Sequence, residues 1–116
     1  MHRLPIHHGG VREPTYFILV SLSNEPLHGY GIAKRAEELS DGRVRIGAGT
    51  LYGALDRLVD DGLIVIEREA VVNGRPRRYY RLTPSGRDAV VAEVTRMRSA
   101  LEAAGAGGFE IVGALA

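Results

Sequence analysis

The sequence predicts a mostly α, α+β fold with the element order α-α-α-β-β-α. Three observations predict it. Apolar residues recur at helical spacing in separate segments before and after the middle of the chain. Two β-like runs, 63–70 and 78–82, flank the turn pair Asn73-Gly74. The stretch from Gly74 to Arg81, GRPRRYYR, carries four arginines and two tyrosines without an acid among them. A short helix followed by a basic hairpin is the order of a winged helix-turn-helix.

Residues 1–11 hold three histidines and a Gly-Gly pair, show no period, and read as a flexible lead. Pro14 suits the first turn of a helix carrying Tyr16, Phe17, Leu19, Val20 and Leu22. Asn24-Glu25-Pro26 ends it, because the residue before proline is pushed out of the helical region. A second helix runs from about His28 to Leu39, with Tyr30, Ile32, Ala33, Ala36 and Leu39 at helical spacing. Ser40-Asp41-Gly42 stops it, and Val44 and Ile46 alternate with Arg43 and Arg45 like a scrap of strand. The third helix spans about Thr50 to Asp61 before Gly62, with Leu51, Leu55 and Leu58 facing the core.

The hairpin follows, and the spacing predicts a loop longer than the tight two-residue form. Alternation puts Tyr80 and Leu82 on the core face of the returning strand, and makes Arg81 a partner for an ion pair. Thr83-Pro84 caps and starts the last helix. Val90, Val94, Met97 and Leu101 repeat at four, three, four along it, a coiled-coil spacing that predicts a dimer interface. The expected organisation is a lead at 1–11, a winged helix-turn-helix at 12–83, a dimerisation helix at 84–104 and a short apolar tail at 105–116.

A length of 116 residues suggests one domain with a modest core. With 45% hydrophobic and 25% charged residues, the chain reads as an ordinary globular protein. A net charge of +1 says little, but eight arginines against five acids between Arg43 and Arg81 focus a basic bias. The absence of cysteine excludes disulfides, thiolate catalysis and cysteine-ligated metals. No apolar run suits a transmembrane helix or a secretory signal, so the cytoplasm is the expected location and a membrane is not an expected partner.

His2, His7, His8 and His28 lack the i, i+4 spacing of a metal pair, so neither metal nor cofactor is expected. No phosphate loop with lysine and no nucleophile elbow is present, and Asp60 and Asp61 are adjacent on a helix and diverge. The chain does not read as an enzyme.

DNA recognition is the chemistry the pattern favours. The N-terminal part of the third helix would meet base edges in the major groove. Thr50 and Arg57 can hydrogen-bond, and Tyr52 can bond a phosphate or pack on a sugar or thymine methyl. Gly53 would let helix and DNA approach closely, which would explain a glycine that costs about 1 kcal/mol in a helix. In the wing, Arg75 and Arg77 at the tip, with Arg78 beside them, suit phosphate oxygens, because guanidinium is a permanently charged fork of donors. Double-stranded operator DNA is the expected partner. A winged-helix module for protein–protein contact is the alternative, and would be expected to carry a more apolar or acidic wing.

The run HGYGIAKRAEELSDGRVRIGAGTLYGALDRLVDDGLI, followed by NGRPRRYYRLTPSGRDAV, resembles the PadR family of bacterial transcriptional regulators. REPTYFILVSLSNEPL is similar to the family's first helix, so the resemblance covers about residues 12–92. It implies a winged helix-turn-helix, a homodimer formed through the C-terminal helix, and usually repression. GTLY places Gly49, Thr50, Leu51 and Tyr52 at the start of the recognition helix, and GRPR places Gly74, Arg75, Pro76 and Arg77 at the wing. The chain departs from the pattern with Gly53 where many members have proline, and with a short C-terminal region. Family effectors include phenolic acids and flat aromatic drugs, sometimes at the dimer interface. The resemblance thus implies a small-molecule effector, although this chain has no tryptophan to stack on a flat one.

Overall fold

A computed structural model describes residues 11–110. Among them are α1 (Glu13–Ser21), β1 (Leu27–His28), α2 (Gly29–Leu39), α3 (Ala48–Asp60), β2 (Ile64–Val72), β3 (Arg75–Leu82) and α4 (Pro84–Ala106). The mostly α, α+β winged helix-turn-helix predicted from the sequence is the fold observed, with one addition. Leu27 and His28 pair with Tyr80 and Tyr79, making a three-stranded antiparallel sheet of order β1-β3-β2.

The core is where the three helical stripes and one sheet face meet. α1 contributes Ile18 and Leu19, α2 Ile32, and α3 Leu51, Leu55 and Leu58. The sheet contributes Ile64, Tyr80 and Leu82. Tyr80 is 1% exposed, as the alternation along β3 requires. α4 roots on this core through Ala89 and the partly buried Val90. Its cap is the expected one: Thr83 Oγ1 accepts from Gly86 N–H at 3.0 Å and donates to Gly62 O at 2.6 Å.

Four local expectations are corrected. The hairpin loop is not long: Val72 pairs with Arg75, and Asn73 (φ 53°) and Gly74 (φ 78°) alone make the turn. Positive φ at both positions is the type I′ geometry, whose twist matches that of the flanking strands. Arg75 and Arg77 therefore stand in β3 just behind the tip. Pro76 is tolerated there because β1 reaches only Tyr79 and Tyr80, so β3 has one neighbour at that level.

Second, residues 43–46 form no strand, because no partner runs beside them. Instead Val44 is buried and its N–H donates to Ser40 Oγ at 2.8 Å. Third, α4 continues to Ala106, past the expected end at 104. Fourth, Val11 belongs to the folded domain, since it is buried and its N–H donates to Glu93 Oε1 at 3.0 Å. The rest of the expected lead, 1–10, and residues 111–116 of the expected tail lie outside the described residues. Among the described residues no helix is long and apolar enough to cross a membrane.

Candidate nucleic-acid interface

α3 begins at Ala48, so Thr50 is its third residue rather than its first. Thr50 and Arg57 are exposed and Gly53 is half-buried, with i, i+3, i+7 spacing that puts all three on one helical face. A side chain at Gly53 would meet Arg57 Nη1 at 3.7 Å, an ordinary contact. No packing within the chain therefore demands glycine there.

Tyr52 leaves that face and leans toward α2. Its ring lies over Gly29, where an added Cβ would sit 2.5 Å from the Tyr52 hydroxyl oxygen. The ring remains 45% exposed. It stands between two clefts. One, of about 600 Å³, lies along α2 and the residues before α3, with Tyr30, Lys34, Arg45, Ile46 and Leu51 in its walls. The other, of about 420 Å³, joins Tyr52 to His28 and to Arg75, Arg77 and Arg78 on the wing. The structure thus brings Tyr52 and the three wing arginines to one cleft, while Thr50, Gly53 and Arg57 lie on α3 outside it.

The wing arginines are not equivalent. Pairing of β2 with β3 sets Glu69 opposite Arg78, and their side chains meet at 3.6 Å. Arg81 meets Glu67 at 3.1 Å, the ion pair expected of it. Glu67 lies at a bulge between Ile66 and Arg68, and Arg68 sits 3.9 Å over the Tyr79 ring. Arg75 is exposed and makes no ion pair among the described residues. Arg77 is half-buried, its Nε is enclosed without a partner, and its Nη1 lies 3.4 Å from His28 Nδ1.

His28 is the residue here that sequence patterning did not single out for this role. Its Nδ1 also accepts the Gly31 N–H at 3.3 Å, which caps α2, so the ring is neutral with its proton on Nε2. Burial, and then the charge of Arg77, hold its pKa below the ordinary 6.5. Its ring packs edge-on to Tyr79 at 5.3 Å. Burial raises the Tyr80 pKa, opposed by a hydrogen bond from Arg78. On α4, Val90 is half-buried against the core, Val94 and Met97 are exposed, and Leu101 is half-buried.

Chemically, this side of the molecule presents a polar helix face, a ring with a hydroxyl, and a cationic wing. Three comparisons with known proteins show what the whole chain is similar to. Residues 18–92 match the transcriptional regulator PadR-like family. The chain is 46% identical over 85 residues to Transcriptional regulator Rv3488 of Mycobacterium tuberculosis, covering 73% of this chain and 72% of that one. Among solved structures it is similar to a PadR family transcription regulator from Clostridium difficile, with TM-score 0.68 and 25% identity over 81% of this chain and 96% of that one. It is also similar to Bacillus subtilis PadR in complex with operator DNA, with TM-score 0.63 and 26% identity over 72% of this chain and 48% of that one. The chain belongs to the PadR-like family of transcriptional regulators.

Proposed function

We propose that this regulator binds duplex operator DNA as a homodimer, in the cytoplasm, as a repressor whose affinity for DNA is set by a small-molecule effector. The observation that carries the DNA reading is the cleft in which Tyr52 of α3 meets Arg75, Arg77 and Arg78 of the wing. Thr50, Gly53 and Arg57 then face base edges in the major groove, and Arg75 and Arg77 meet phosphates or the adjacent minor groove. Arg78 joins them by exchanging Glu69 for a phosphate, since an exposed ion pair is worth only about 0–1 kcal/mol. The operator-bound Bacillus subtilis relative supports DNA as the partner. Repression and the effector rest on kinship with the family. The dimer rests on the apolar positions of α4 beyond the core.

The reading is tested by titrating the protein with duplex DNA at several salt concentrations. Arg75→Ala is expected to weaken binding to all sequences and to lower the salt slope by about 0.9 for one lost phosphate contact. An unchanged affinity and slope would remove the wing from the interface. Genomic fragments selected by the protein are expected to share a two-fold motif.

A further inference from the structure

The cleft between α3 and the wing contains a side-chain arrangement that cationic attraction alone does not explain. Three arginines, a histidine and the Tyr52 ring surround about 420 Å³, and no carboxylate lines it. Arg77 is held differently from its neighbours. Its Nε is shut away from solvent with no partner, and its Nη1 leans on His28 Nδ1 at 3.4 Å. A guanidinium enclosed with an unmet donor is poised for an acceptor that the free protein does not supply. His28 in turn stands in one place, because Gly31 N–H and the Tyr79 ring fix its plane.

We propose that this cleft takes one phosphodiester of duplex DNA, and that His28 is the positioning residue that holds Arg77 for it. The inference rests on the DNA-binding reading above and goes further by naming the phosphate site and its proton. In the free protein a proton on His28 would face Arg77 and would end both acceptor roles of Nδ1. A phosphate reverses that balance. It draws the Arg77 guanidinium to itself and places a negative charge beside the imidazole, so His28 takes up a proton as DNA binds.

The groups facing His28 are few. From β3 come Arg75, Arg77, Arg78 and Tyr79, from α2 Tyr30, and from α3 Tyr52. On β2, Arg68 lies over Tyr79 and Glu69 is occupied by Arg78. Asp56 of α3 acts on Tyr80 behind the cleft. The surroundings are thus cationic or neutral until a phosphate arrives.

The experiment measures affinity of the full chain for one duplex at constant salt as pH falls from about 8 to about 6. One proton taken up makes binding stronger by at most about tenfold per pH unit, and several-fold is expected over this range. His28→Asn keeps an N-cap acceptor for Gly31 but cannot titrate, and retains His2, His7 and His8 as background. It is expected to bind with a flatter pH profile than the wild type. Arg77→Ala is expected to lose both the pH dependence and about 0.9 of salt slope.

Proton resonances of His28 in the unaltered protein give a check that needs no variant: its pKa is expected to rise when duplex DNA is added. A His28→Asn profile parallel to the wild type, or a His28 pKa that DNA leaves in place, would overturn the proposal while leaving DNA binding intact. A wild-type chain that binds no duplex at any pH overturns the reading beneath it as well.

Discussion

Tyr52 keeps its place because residue 29 has no side chain. A methyl group at Gly29 would overlap the Tyr52 hydroxyl and the ring carbon that bears it, so the ring must shift from this place. Gly29→Ala is therefore expected to act through Tyr52. Each of Gly29→Ala and Tyr52→Ala should cost about 1.5–3 kcal/mol of binding, to a similar extent on a selected operator fragment and on random duplex, because the cleft that Tyr52 lines is given to the DNA backbone. The two losses should not add, because both remove the same contact. A double-mutant cycle by fluorescence anisotropy measures this. Additive losses would separate the two residues, and a loss confined to the operator fragment would move Tyr52 from the backbone to the base edges.

At the scale of elements, the parts legible in the sequence are those whose signal is local. Leu51, Leu55 and Leu58 mark α3 without help from any other segment, and Thr83-Pro84 marks the start of α4. β1 was not legible, since two residues carry no alternation and their partners lie over fifty positions away at Tyr79 and Tyr80. The alternation at 43–46 misleads for the converse reason: it has the period of a strand but nothing to pair with. Counting acids along GRPRRYYR could not show Glu69, which the hairpin places across from Arg78, or Glu67, which the bulge brings within reach of Arg81. The cleft gathers side chains from β1, α3 and β3, so its composition is a property of the fold.

The same scale holds the contact that fastens α4 to the chain before α1. Glu93 is 4% exposed, accepts the Val11 N–H, and is bound by Arg96 through Nε at 3.1 Å and Nη2 at 2.5 Å. The hydrogen bonds from Arg96 lead in holding its pKa below the ordinary 4.5; burial opposes them and the Val11 bond assists. A carboxylate with a depressed pKa stabilises the fold fully above the ordinary value, and that stabilisation fades as pH falls through the lower, folded one. Glu93→Gln keeps the shape but removes the charge. It is expected to cost about 1–2 kcal/mol at neutral pH in urea unfolding. The gap should close as pH falls below the ordinary 4.5 and through the lower, folded value. A gap independent of pH would assign the cost to packing rather than to the charge.

At the scale of the whole molecule, α4 is longer than its own domain requires. It has 23 residues, about 34 Å at 1.5 Å per residue, and its buried residues, Gly86, Ala89 and Glu93, all lie in the first half. Val94 and Met97 continue the four-three-four row into solvent at 38% and 39% exposure, and Val91 stands beside them. A second copy of α4 would cover that row and set two α3 helices at a fixed separation, which is what a two-fold operator requires. Val94→Glu and Leu101→Glu place charges where apolar side chains would meet. Neither residue belongs to the core cluster, so the helix signal in circular dichroism should persist while sedimentation reports the monomer mass. Binding to a two-fold fragment should weaken by orders of magnitude, with a salt slope near half the wild-type value, because one protomer then supplies the phosphate contacts of two. A variant that sediments as a dimer would move the interface off this row.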